Sequence, residues 1–388
     1  MAHVFAEQRK LFPILQKSAQ LSSCSQSAMA EPVAQALADY TRSWMEKGMD
    51  WGGWMATVNA AKAGFARLIN ADVRNISAMS CVSDITSSVG SALDFVPGKN
   101  GIVVGDVDFP SMGHVWLAHE RKGAAVRFVA TDPDYCIRTE AYRTAINDET
   151  ALVSLAQVSY YNGFIQDIAA ITEIAHQHDA LVFVDAYQSA GSMRIDVQRD
   201  PIDLLASGAQ KYLLGIPGIA FLYVRPGLAE RLRPSNTGWF GRVNPFAFDI
   251  HQLDYADGAA RFDTGTPSIA SAFAARAGLD LLNSLDMDLV QNHLRNLSQV
   301  ALDEARRCGL RSVSPSDLSC KSAITALHVG DAASVEQKLA REGFIVSARN
   351  DVIRIAPHFY NTEDEVAGAV RAVARLTGQG DFEQIQIG

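Results

Sequence analysis

The chain is poor in cysteine, and the little it has is scattered. Its five cysteines (Cys24, Cys81, Cys136, Cys308 and Cys320) are odd in number and form no CxxC pair. That argues against a disulfide framework and suits a reducing compartment, so a cytoplasmic location is the expectation. Long apolar runs are missing too. The longest uncharged apolar stretch, Tyr212 to Val224, contains Gly215, Pro217 and Gly218 and is too short to cross a bilayer, so no membrane partner is expected. Arg9, Lys10 and Lys17 interrupt the first residues, where a secretion signal would need an apolar core. Positive charge is in deficit: the net charge is −9 and no basic stripe occurs, which argues against nucleic acid as a partner. No HExxH, GxSxG, GxGxxG or P-loop pattern is found. His176 and His178, two apart on a helical pattern, face different directions and make a poor metal pair, so no metal is expected.

What is present is an ordinary globular composition, 48 % hydrophobic and 20 % charged, over 388 residues. That length accommodates a large domain and a smaller one. Apolar runs at Asn75–Cys81, Gly101–Val107, Ala125–Ala130, Leu152–Val158, Leu181–Asp185, Leu204–Ser207 and Ile219–Val224 read as strands. Helical patterns such as Asp84–Leu93, Gly113–Lys122 and Asp167–His178 lie between them. Continuous apolar strands alternating with helices predict an α/β fold with a mostly parallel, doubly covered sheet. From about Asp257 the pattern changes. Long helices at Ser268–Leu285 and Met287–Cys308 lead into Ala323–Val329, Val335–Glu342, Phe344–Ser347 and Val352–Ile355. A last helix opens on the capping box Thr362-Glu363-Asp364-Glu365. The expected division is therefore 1–256, an N-terminal arm and large domain, and 257–388, a smaller α+β domain. The polar tail after Leu376 is expected to be loosely held.

Two punctuated residues give the chemistry. The run Leu181-Val182-Phe183-Val184 ends on Asp185, with Gln188 three positions later; Lys211 follows one βαβ step on, ahead of a glycine-rich turn. A carboxylate at the tip of a buried strand and a lysine at that remove suit pyridoxal 5′-phosphate. The lysine condenses with the aldehyde, and the carboxylate keeps the pyridine nitrogen protonated. Desolvation near a strand end would lower the lysine's pKa and free its amine. Val82-Ser83, at the start of a helix, suits the phosphate, because free N–H groups and the helix dipole favour an anion there.

In this order and spacing, Asp185-x-x-Gln188, Lys211 and the segment Arg354-Ile355-Ala356-Pro357-His358-Phe359-Tyr360-Asn361-Thr362 resemble the class V aminotransferase family. The likeness runs from about Leu21 to Leu376. Phe109-Pro110-Ser111, Lys211-Tyr212-Leu213 and Gly238-Trp239-Phe240-Gly241 lean toward its kynureninase and cysteine-lyase side. The resemblance implies the aspartate-aminotransferase-like fold (fold type I), pyridoxal phosphate as cofactor, a small-molecule amino-acid substrate and a homodimer with shared sites. It implies Lys211 as the catalytic residue, with Asp185 on the ring nitrogen, Gln188 on the phenolic oxygen and Phe109 stacked on the ring. Val82, Ser83 and Ser207 would hold the phosphate, although the family's serine position before the lysine is Gly208 here. Trp239 and Thr266 would reach the phosphate across the dimer interface. Arg354 would grip the substrate carboxylate, since a guanidinium fork matches it bidentately; Tyr160 and Asn162 would line the substrate side.

The reaction is less legible. A desulfurase needs a cysteine on the loop before the Arg354 strand, and Phe344–Asp351 holds none. Kynureninase itself is disfavoured by Met112, Gln210 and Gln188 at positions where that enzyme carries Asp, Tyr and His. A side-chain lyase is the preferred expectation, an aminotransferase the second, with an epimerase or a desulfurase behind them.

Overall fold

The structure, a computed structural model, describes residues 4–378. The expectation of a loose tail falls mostly on residues 379–388, outside the described residues. The seven strands read from the sequence assemble into one sheet: β1 (Ile76–Met79), β2 (Gly101–Gly105), β3 (Ala125–Val129), β4 (Thr150–Ala156), β5 (Leu181–Asp185), β6 (Leu204–Gly208) and β7 (Ala220–Val224). Their spatial order is β1-β7-β6-β5-β4-β2-β3. Strands β2 to β6 run parallel, and β7 runs antiparallel to both of its neighbours. Every residue of β2, β6 and β7 is buried, as expected of strands covered on both faces.

The helices begin where capping chemistry allows. Asp167 accepts from the Ala170 amide to open Ile168–Gln177, and Asp286 accepts from Asp288 and Leu289 at the head of Met287–Arg307. The capping box at Thr362 forms as read: its hydroxyl takes the Glu365 amide while Glu365 takes the Thr362 amide. Two helix starts moved forward. Val82–Ser91 begins two residues ahead of expectation, which puts Val82 and Ser83 in its first turn. Pro110–Ala118 begins at a proline, whose missing N–H would be unpaired there anyway, with Phe109 just outside it. Sequence patterning assigned nothing to Glu31–Lys47 and Trp51–Leu68, two long helices packed against Ile269–Asn283.

The C-terminal part carries a three-stranded antiparallel sheet, Ser347–Arg349, Val352–Ile355 and Thr325–His328. The N-terminal segment crosses to it. Ala19–Gln20 pair in parallel with Phe344–Ile345, and Arg9 forms an ion pair with Glu365. Among the described residues no helix is long and apolar enough to cross a membrane.

Candidate active site

In an open parallel sheet, ligands bind beyond the carboxyl ends of the strands, and Asp185 ends β5 there. A cavity of about 190 Å³ at this edge is lined by Cys81, Val82, Ser83, Phe109, Ser111, Met112, Ala156, Val158, Tyr160, Asp185, Tyr187, Gln188, Gln210 and Lys211. It therefore gathers seven of the residues singled out in the sequence: Val82, Ser83, Phe109, Tyr160, Asp185, Gln188 and Lys211. A larger cavity of about 770 Å³ lies between Pro133–Arg138 and Arg311–Cys320, but it contains neither Lys211 nor Asp185.

The electrostatics of the smaller cavity are unusual. Burial lowers the Lys211 ammonium to a pKa of about 8; Asp185 opposes the fall, while the Arg354 and Arg349 charges add to it. The Lys211 Nζ faces the Tyr187 ring at 4.1 Å and the Phe109 ring at 5.6 Å. Burial pushes the Asp185 carboxyl up, against the Tyr187 amide that donates to it at 2.8 Å and the Lys211 charge. A cation beside Asp185 would complete that half-compensated carboxylate. Gln188 donates through Nε2 to the Cys24 carbonyl at 3.0 Å, and its Oε1 is buried without a partner. Phe109 and Tyr160 meet edge to face at 5.2 Å. At the other end stand the backbone amides of the first turn of Val82–Ser91, behind Cys81 as N-cap.

Arg354 lies behind this cavity, almost fully buried. Nη1 donates to the Tyr160 carbonyl at 2.7 Å, and Nη2 donates to the hydroxyls of Ser347 at 2.7 Å and Ser25 at 3.1 Å. Its Nε is buried and unpartnered.

Besides Arg354, four of the singled-out residues stand outside the cavity. Ser207 is fully buried and turns its hydroxyl to the Ala186 and Gly208 carbonyls, both at 3.4 Å. Asn162 is buried and donates to the carbonyls of Tyr135 at 3.2 Å and Val313 at 3.3 Å, tying loops together. Trp239 stacks between Trp51 and Phe248, each at 6.1 Å, and Thr266 is exposed. His176 and His178 point to different acids, Asp203 and Asp148.

Sequence reasoning passed over three side chains here. Tyr187, inside the Asp185–Gln188 motif, lines the cavity and lies against Gly208; the missing serine at 208 was the available signal. Cys81 also lines the cavity, and only its place as a helix N-cap hinted at it. Arg349 stands beside Tyr160, its guanidinium 6.0 Å from the ring centroid. It lies on a stretch read only for cysteine, and extending the strand past Ser347 would have exposed the alternation.

The family model for Aminotransferase class-V matches residues 21–376. The chain belongs to the class V aminotransferase family. Membership makes it an enzyme with pyridoxal 5′-phosphate as its cofactor. It is 40 % identical over 377 residues, 97 % of this chain and 99 % of the relative, to the uncharacterized aminotransferase YcbU of Bacillus subtilis (strain 168). It is 28 % identical to a kynureninase of Pseudomonas fluorescens over 62 % of this chain and 60 % of that one. The apo structure of a cysteine desulfurase from Thermococcus onnurineus NA1 has the same fold, with a TM-score of 0.86 at 20 % identity, covering 96 % of this chain and 98 % of that one.

Proposed function

We propose that the enzyme acts on the α-amino group of a small L-amino acid and cleaves a bond in its side chain, with the lining of the 190 Å³ cavity as its active site. The observation that carries this is the meeting of Lys211, Asp185, Phe109 and a helix N-terminus in that one cavity. The donor set fits the cofactor: a buried carboxylate short of a cation, a desolvated amine, a flat aromatic face and the free N–H groups of Val82 and Ser83. Bound there, pyridoxal phosphate supplies an aldehyde that captures amines and a ring that draws electrons from the substrate's Cα.

This chain's residues then have distinct tasks. Lys211 holds the cofactor between turnovers and moves the proton at Cα. Asp185 would keep the ring nitrogen protonated, and Gln188, whose Nε2 donates to Cys24, would have its Oε1 left to accept from the ring hydroxyl. Arg354, pinned by Tyr160, Ser25 and Ser347, presents its free Nε edge to the substrate carboxylate. Tyr160, which lines the cavity, would border the substrate. Ser207 supports the strand beneath the site, bonding the Ala186 and Gly208 carbonyls.

Aminotransfer is the second reading, favoured by the name of the relative at 40 % identity. Desulfuration through a protein persulfide has less support: burial raises the thiol pKa of Cys308 and of Cys320 and pushes that of Cys136 up to about 12, whereas a sulfur acceptor must be a thiolate. A panel of L-amino acids, followed by cofactor spectrum and products, separates the readings. A cleaved side chain, with the nitrogen released as ammonia or kept on a shortened amino acid, identifies a lyase. Turnover that depends on an added keto acid identifies an aminotransferase.

We further propose the division 1–256 and 257–388, a cytoplasmic location suited to five free cysteines, and a homodimer. Exposed Val243, Phe246, Phe248 and Ile250 form an apolar patch beside Trp239 that a second subunit would cover, bringing Trp239 and Thr266 toward its site. Sedimentation should give a dimer; a monomer with full cofactor occupancy would refute it.

A further inference from the structure

Two arginines leave the same face of one hairpin, and neither has its charge matched. Ser347–Arg349 pairs antiparallel with Val352–Ile355, Ser347 opposite Arg354 and Arg349 opposite Val352. Residues directly opposite, and those two along, point to one face. Arg349 and Arg354 are therefore diagonal neighbours, a separation of roughly 7–8 Å between such positions. The Ser347 hydroxyl, on that face, already bonds Arg354. Two like charges this close are mutually unfavourable without an anion between them.

The nearby acids are committed elsewhere. Asp351 accepts from the Tyr161 hydroxyl at 2.9 Å and pairs with His328 at 3.3 Å. Glu336 accepts from the Ala348 amide at 2.7 Å. Among the described residues no carboxylate pairs with Arg349 or Arg354, and the Nε of each is buried with no partner. A buried N–H of a guanidinium without an acceptor is costly. Both charges also act at Lys211, lowering its affinity for a proton, so both lie within electrostatic reach of the reacting centre. Arg349 lies beside the ring of Tyr160, which lines the cavity.

We infer that Arg349 is a specificity-determining residue that binds a second acidic group, carried on the side chain of the amino-acid substrate, while Arg354 holds the α-carboxylate. This rests on the proposed function above and narrows its substrate class to amino acids with an anionic side chain. One ligand would then fill both vacant guanidinium edges and relieve the repulsion between them. An amino acid with a neutral side chain would leave Arg349 unpaired.

The test is a spectral titration of the cofactor-loaded protein, checked by calorimetry, with L-aspartate, L-asparagine, L-glutamate and L-glutamine. At least one acid should bind on the order of 10- to 100-fold tighter than its amide, the value of one charge-assisted hydrogen bond. Arg349→Gln should erase that preference by weakening the acid alone, and Arg349→Lys should keep part of it. Acids and amides that bind alike, including no binding of either, would overturn the inference. So would an Arg349→Gln protein in which both fall by the same factor, because Arg349 would then serve the α-carboxylate. Borohydride mapping of the cofactor in each protein separates the two levels. Cofactor on Lys211 with no preference for acids refutes only the role of Arg349, whereas cofactor elsewhere removes the proposed site and this inference with it.

Discussion

Gly208 lies directly beneath the phenol of Tyr187, so closely that a β-carbon at 208 would overlap the ring and its hydroxyl. The family's serine position is thus empty because a neighbouring tyrosine fills its space. Restoring the serine should do harm. Gly208→Ser is expected to destabilise the protein by about 1–3 kcal/mol, as overpacking of a filled site does, and to weaken cofactor retention. The double variant Tyr187→Ala/Gly208→Ser should recover both, read by thermal melting and by cofactor lost on dialysis. A single Gly208→Ser protein that melts like the parent would disprove the packing argument.

The depressed pKa of Lys211 predicts a pH profile for loading. Only the neutral amine attacks an aldehyde, and folding brings its pKa from the ordinary 10.5 to about 8. The rate at which apoprotein captures pyridoxal phosphate should therefore climb with pH and level off just above 8. A rate still climbing between 9 and 10.5 would show an unperturbed lysine. Reduction with borohydride should leave the pyridoxyl group on Lys211, and Lys211→Ala should retain no reducible cofactor.

Arg354→Gln should raise KM on the order of 10- to 100-fold, the cost of about 1.5–3 kcal/mol for a lost charged hydrogen bond. Lys211 should still hold the cofactor, since Arg354 is not part of the cavity lining. Unaltered kinetics would move the carboxylate site elsewhere, and a lost cofactor would mean that Arg354 mainly props up the Tyr160 loop it bonds.

Removal of thiols should be tolerated. Only Cys81 among the described cysteines lines the cavity, and no cysteine occupies Ser347–Asp351. Cys81→Ser, Cys308→Ser, Cys320→Ser and a folded five-fold cysteine-free protein should all turn over normally. Loss of turnover with the cofactor still in place would reveal a sulfur acceptor, and Cys81→Ser would show first whether it stands in the cavity.

Much of the central sheet was legible because its strands are short, continuously apolar and separated by capped helices; β5 matches expectation at both ends. The pairing of Asp185 with Lys211 was legible for a related reason, since a carboxylate closing a strand of large apolar residues conflicts with its surroundings. Less was visible where the meaning lies in a partner distant in sequence. Trp51–Leu68 escaped notice because its apolar residues cover more than one face and blur the helical period. Asn162 has the look of a substrate ligand in a loop, yet it spends its amide on the carbonyls of Tyr135 and Val313. Arg349 became visible only with the hairpin register, which no local pattern contains.

The hydrogen bond from the Ala28 amide to the Tyr360 hydroxyl joins residues 332 positions apart, and Ser25 meets Ser347 across 322. Arg354 depends on that same Ser25. At synthesis rates of about 5–20 residues per second, the leading segment waits roughly 15–65 s on the ribosome before its partners exist. A nascent chain can build the β5 edge around Lys211 well before it can grip a carboxylate, so cofactor capture should precede substrate competence during biogenesis.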